Sequence, residues 1–190
     1  MQEGAGTEIE RREAPRSAEE LRALLDLDVP LVLTGMGKGL PAMGWTVEHL
    51  VAMCGEVKFP VIRTDAARHL PGAGDTMELT LAELLALLAR QEPGVRHYLA
   101  GPNLFAHEER LRALLAECEA FHRTAVVRGR IGALGMWLGK TGQRTWLHFD
   151  CANNFLLQIR GRKTFMLAPP EAYPNLYCYT FSSCNGGCGG

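Results

Sequence analysis

No stretch of this sequence approaches the roughly 20 consecutive apolar residues that a membrane-spanning helix needs. The opening MQEGAGTEIERREAPR also lacks the apolar core of a signal peptide, so a cytoplasmic or nuclear protein without a membrane span is expected. Charge of one sign is lacking as well. A formal net charge of -1 over 190 residues provides no general electrostatic attraction to nucleic acid or anionic lipid. Nor is there a disulfide framework: six cysteines scattered through the chain, without a secretory signal, read as reduced thiols. Cys54, Cys118 and Cys151 suit small core positions. Cys184 and Cys188 lie among glycines and lack the second pair that a structural zinc module would need.

What is present is enough apolar residue for one globular domain with a core, 47% of the chain against 22% charged. Residues 1–16 read as a flexible lead. Ser17 and Glu20 then form a capping box before Leu21, Leu24 and Leu25. The run from Val29 to Thr34, closed by Gly35, Gly37 and Gly39, reads as a strand entering a loop. Thr46 opens a second helix carrying Val47, Leu50 and Val51. A second capping box, Thr80 and Glu83, starts a helix in which Leu81, Leu84, Leu85 and Leu88 recur at helical spacing until Pro93-Gly94, a stripe for core packing. Arg96 to Ala100 reads as a strand, and His107 to His122 as a helix with Leu111, Leu114, Leu115 and Cys118 on one face.

From Ile131 the pattern changes to short strands: Gly135 to Gly139, Thr145 to Asp150, Asn154 to Arg160 and Lys163 to Ala168. Helices first and clustered strands later predict an α+β chain whose second half begins a sheet sandwich or barrel. Trp137, Trp146, Phe149, Phe155 and Phe165 are expected in that barrel's core. His49, His69, His97, His107 and His122 read as surface or internally satisfied histidines. Arg128 and Arg130 suit a solvated turn as well as an acidic substrate. Within the strands, His148-Phe149-Asp150 would put an imidazole and a carboxylate on one face, since side chains two apart point the same way. Such a pair suits iron(II) when a second histidine arrives from elsewhere. An HxD triplet alone is a weak signal.

The surroundings are more specific. The run from Trp137 to Asp150 (WLGKTGQRTWLHFD), then Asn153 to Lys163 (NNFLLQIRGRK) and Leu167 to Pro170 (LAPP), resembles the metal-binding core of the JmjC and cupin-like hydroxylases. It is especially similar to the asparaginyl hydroxylase of hypoxia-inducible factor. Looser similarity extends upstream through Pro30 to Gly35 and Trp45 to Gly55, so that most of residues 29–179 is covered. The resemblance implies N-terminal helices followed by a double-stranded β-helix, the cupin or JmjC jelly roll, over residues 17–180. It implies an iron(II)- and 2-oxoglutarate-dependent dioxygenase that hydroxylates a protein side chain or a tRNA base. His148 and Asp150 match two of three iron ligands. Lys163 matches the lysine that pairs with the distal carboxylate of 2-oxoglutarate, and Thr145, Asn154 and Tyr98 match residues that contact the same cosubstrate. On the residues alone, Lys163 reads rather as a solvated turn lysine and Thr145 as a plain strand residue.

The family pattern then breaks. It requires a second histidine downstream of HxD, and no histidine follows His148; the only acidic residue after Asp150 is Glu171. The last ten residues, 181–190, are almost entirely Ser, Cys, Asn and Gly and form an expected tail outside the domain. A jelly roll incomplete at its C-terminus is therefore expected, from a truncated gene model or splice form, a non-catalytic descendant, or an enzyme completed by another chain. The abrupt change at Phe181 favours the first. A non-enzymatic cupin-like interaction module is the alternative reading.

Overall fold

The computed structural model describes residues 7–65, 75–90, 92–101, 116, 135–145, 147–150 and 154–176. The chain divides into two compact units, residues 1–160 and 161–190. The first is an α+β unit in which, among the described residues, three short α-helices accompany two small sheets.

The expected lead contains a strand. β1 (Arg11–Glu13) pairs in parallel with β2 (Val32–Thr34), in the register Arg11 with Val32 and Glu13 with Thr34. Between them α1 (Ala18–Leu25) starts where its cap predicts: the Glu20 N–H donates to Ser17 Oγ at 3.2 Å. The Glu20 carboxylate reaches back one residue further than a standard capping box, accepting the Arg16 N–H at 2.6 Å. α2 (Val47–Cys54) is capped by Thr46, whose hydroxyl accepts the His49 N–H at 3.1 Å. Cys54 at its end is a core residue, its thiol donating to the Leu50 carbonyl at 3.4 Å.

The larger sheet has the order β4-β3-β5-β6, built from β3 (Lys58–Asp65), β4 (Asp75–Thr80), β5 (Val95–Gly101) and β6 (Met136–Gly139), all antiparallel. β5 and β6 lie where the sequence places them, but β3 and β4 give little sequence signal. Pro60 argues against a strand interior. The fold accommodates it because β3 pairs with β5 only from Val61 onward, so on that side Pro60 lies past the end of the ladder. α3 (Leu81–Ala89) follows β4 without a linker. Its cap is reciprocal: the Thr80 hydroxyl accepts the Glu83 N–H at 3.2 Å, and the Glu83 carboxylate accepts the Thr80 N–H at 2.8 Å.

The core lies between α2, α3 and one face of this sheet. Trp45, Leu50, Phe59, Val61, Leu81, Leu84, Leu85 and Leu99 are buried there, and Met77, Leu79, Leu88, Met136, Leu138 and Ile159 pack around them. The leucine stripe of α3 is thus core, as its spacing predicts.

The second half departs from expectation. No described residue of 145–150, 154–160 or 163–168 is in a strand; residues 170–175 form a 3-10 turn, Pro170–Asn175. Without a ladder, side chains expected in a barrel core are solvent-facing: Phe149 is 72% exposed, Phe165 49% and Phe155 37%; Trp137, on the paired strand β6, is 46% exposed as well. An apolar face is buried only when another element covers it. The predicted helix 107–122, apart from helical Ala116, falls outside the described residues. So do Cys118, Cys151, Cys184, Cys188, His69, Arg128, Arg130 and Trp146. No helix among the described residues is long and apolar enough to cross a membrane.

Candidate functional site

β5 divides its residues between two faces. His97, Leu99 and Gly101 are buried on the helix-covered side, whereas Arg96, Tyr98 and Ala100 alternate onto the other face. Ladder register places Tyr98 between Ile62 of β3 and Gly139 of β6. Gly139 is what admits the aromatic ring: a Cβ there would stand 3.0 Å from Tyr98 Cδ2, closer than van der Waals contact allows without displacement.

After Gly139 the chain turns tightly. The Gln143 N–H donates to the Lys140 carbonyl at 3.2 Å, and Gly142 takes the left-handed conformation at φ +84, which glycine adopts without the penalty of a side chain. The Lys140 ammonium donates to the Glu92 carbonyl at 3.0 Å. Two residues past the turn, the Thr145 hydroxyl shares a side-chain hydrogen bond with the Tyr98 phenol. Burial pushes the phenol above its ordinary value of 10.0, and the Thr145 bond partly opposes that shift. Tyr98 is therefore a neutral donor at physiological pH. Two residues assigned to the cosubstrate by resemblance, 47 positions apart in sequence, meet on the sheet face opposite α2 and α3.

A second pair also meets. The Asn154 side-chain amide donates to the Asp150 carboxylate, which orients one of the two predicted iron ligands. Both His148 and Asp150 are exposed and lie in irregular chain, so no ladder enforces the shared face that a strand would have given them. Among the described residues, no three His, Cys, Asp or Glu side chains converge as a metal-holding group. Lys163 belongs to the second unit, where its ammonium lies 5.1 Å from the centroid of the Phe165 ring, a cation–π distance. Phe165, Met166 and Leu167 of that unit are exposed, Met166 at 90%.

Sequence reasoning missed Gly139 and Gln143 as site residues. Gln143 stands in the turn that delivers Thr145, with its Nε2 donating to the Arg144 carbonyl at 3.3 Å. Its Oε1 is enclosed and without a hydrogen-bond partner among the described residues. No sequence signal marks a glutamine in a turn for such a role.

Comparison with known proteins bears on the family of the chain. The model of a cupin-like domain matches residues 17–187. An "HSPB1-associated protein 1 homolog" of Danio rerio is 30% identical over 184 residues, covering 86% of this chain and 40% of that protein. "HSPB1-associated protein 1" of Bos taurus is 27% identical over 190 residues, 92% of this chain and 39% of its own length. A "JmjC domain-containing protein D" of Dictyostelium discoideum is 48% identical over 44 residues, 23% of this chain and 10% of that protein. The chain thus spans about two fifths of the length of the two HSPB1-associated relatives. On the extent of the domain match, the chain belongs to the cupin-like domain family and has JmjC-domain relatives.

Proposed function

We propose that this chain carries the cosubstrate-binding part of an iron(II)- and 2-oxoglutarate-dependent oxygenase that hydroxylates a protein side chain. The Tyr98–Thr145 pair is the observation that carries this reading. A neutral phenol and a hydroxyl, brought together on the sheet face opposite α2 and α3, suit one carboxylate: on exchanging their mutual bond for the ligand each has one proton to donate, and hydrogen bonds to an ionised acceptor are about twice as strong as neutral ones. Asn154 orients Asp150 beside His148 in sequence, and Lys163 is assigned the cosubstrate from its place in the motif alone. Bound iron supplies the redox chemistry of this enzyme class, but a facial triad takes three protein donors. His148 and Asp150 are two, and the described residues add no third. The described set therefore does not by itself fit a resident iron, and the reading rests on carboxylate binding. Two relatives are named for association with HSPB1, which favours a protein over a tRNA as substrate.

The test is anaerobic titration of the purified chain with 2-oxoglutarate, without and then with iron(II), followed by ligand-observed NMR and by the visible charge-transfer band of a metal-bound 2-oxo acid. 2-Oxoglutarate binding that weakens in Tyr98→Phe is expected; a band that appears with iron(II) and is lost in His148→Ala would mean that a donor from outside the described residues completes the site. A folded chain that binds neither would refute the proposal. It would leave the second reading, a non-catalytic cupin-like interaction module, which the exposed Phe149, Phe165, Met166 and Leu167 favour.

A further inference from the structure

We infer that Gln143 is a positioning residue for the Tyr98–Thr145 pair, held where it is at the expense of fold stability. The inference deepens the cosubstrate reading above and rests on it for its functional meaning. Three contacts carry it. Gln143 stands over the bare backbone of Gly139: a Cβ at Gly139 would meet Gln143 Cγ at 3.3 Å and Tyr98 Cδ2 at 3.0 Å. The glutamine stem and the tyrosine ring thus border the same vacant position. The Gln143 backbone N–H closes the turn onto Lys140, and its Nε2 is tied to the Arg144 carbonyl. Thr145, the next residue but one after Gln143, is the one that meets the phenol.

The enclosed Oε1 makes the stability argument. A buried acceptor without a partner is costly, and native proteins rarely tolerate one without a reason. Methionine has nearly the same length and volume and no orphan oxygen, so packing alone would favour it at this position. What methionine lacks is the Nε2 bond to the Arg144 carbonyl, which fixes the peptide immediately before Thr145. The glutamine therefore trades stability for the direction in which the Thr145 hydroxyl points.

The experiment uses the full chain labelled with [13Cζ]tyrosine, in which the Tyr98 resonance is identified by its loss in Tyr98→Phe. Hydrogen bonding to the phenol moves that resonance at neutral pH, without iron or cosubstrate. Expected is a shift in Gln143→Met toward the position seen in Thr145→Val, with no further shift in the double variant and a melting temperature equal to or above wild type. Gly139→Ala, whose methyl would press on both the ring and the stem, should move the same resonance. Affinity for 2-oxoglutarate should fall about tenfold in Gln143→Met, the loss of roughly one charge-assisted hydrogen bond. A Gln143→Met resonance at the wild-type position, or shifts of the two single variants that simply add, would overturn the inference. If the wild-type chain binds no 2-oxoglutarate, the proposed function fails while the resonance shifts still decide the role of Gln143.

Discussion

Strand β5 should separate stability from binding by residue parity. Leu99 is completely buried between α3 and the sheet, in contact register with Val61 and Leu138. Truncating it to alanine removes buried methyls and leaves a cavity that close-packed neighbours only partly fill, at a cost of about 2–5 kcal/mol. In a domain of this size that corresponds to a melting temperature lower by roughly 4–20 °C. Tyr98, the adjacent residue, faces the other way and is half-buried. Tyr98→Phe keeps the ring in its place over Gly139 and removes only the hydroxyl with its Thr145 bond, a loss of about 0.5–1.5 kcal/mol in stability. The order reverses for 2-oxoglutarate. Tyr98→Phe should weaken binding roughly ten- to hundredfold, the equivalent of one hydrogen bond to a charged group. Leu99→Ala, assayed at a temperature where circular dichroism shows it folded, should bind within about twofold of wild type, a difference of only about 0.4 kcal/mol. Urea denaturation followed by circular dichroism, with slopes checked for constancy, gives the stability arm. Equal destabilisation by the two substitutions, or a Leu99→Ala variant that is folded yet fails to bind, would refute the two-face assignment.

Other outcomes follow from the same contacts. Thr80→Ala should cost about 1 kcal/mol, measured by thermal melting, while Thr80→Ser keeps most of the cap. Burial and then the nearby Arg63 lower the pKa of His97 below its ordinary 6.5, with Lys140 adding to the effect and Glu92 opposing it. The unfolded chain thus takes up this proton first, so the stability that His97 contributes is present above pH 6.5 and is lost as pH falls through the lowered folded value. Comparing melts of wild type and His97→Gln between pH 7.5 and 5 should show the steeper loss in wild type. Gly142→Ala should cost about 1 kcal/mol at its positive φ and weaken 2-oxoglutarate binding as well. Gly94→Ala, also at positive φ but in the turn before β5, should cost similar stability and leave affinity unchanged.

Local chemistry was the legible part of this fold. Ser17, Thr46 and Thr80 announce their helices because a cap needs only a side chain and an amide three residues away. The leucines of α3 announce their burial through helical spacing. β3 was hidden by Pro60, and its pairing with β4 depends on where a neighbouring ladder stops, which no local pattern encodes. The segments around Phe149, Phe155 and Phe165 read as strands, since their composition is that of strands, but a strand exists only with a partner. At the site, Tyr98 and Thr145 were each singled out through the family motif, not through spacing, and that the two side chains meet was not foreseen. Gln143 went unnoticed because its significance lies in the absence of a side chain at Gly139 and of a partner for one oxygen, neither visible from a residue's own identity.

Thr80 occupies three places at once: it is the register partner of Lys58, the last residue of β4 and the N-cap of α3. Immediately beyond it, the Leu81 and Ala82 N–H groups donate to the Val57 and Gly55 carbonyls at 2.9 Å. Hairpin alignment and helix phase are consequently one degree of freedom. If β4 slipped by one residue along β3, a different side chain would stand at the cap, and α3 would have to rotate by about 100° to keep its place. That rotation would turn Leu81, Leu84 and Leu85 away from the sheet. A misaligned hairpin therefore cannot recruit its helix, and this junction proofreads the strand pairing on which Tyr98 is later mounted.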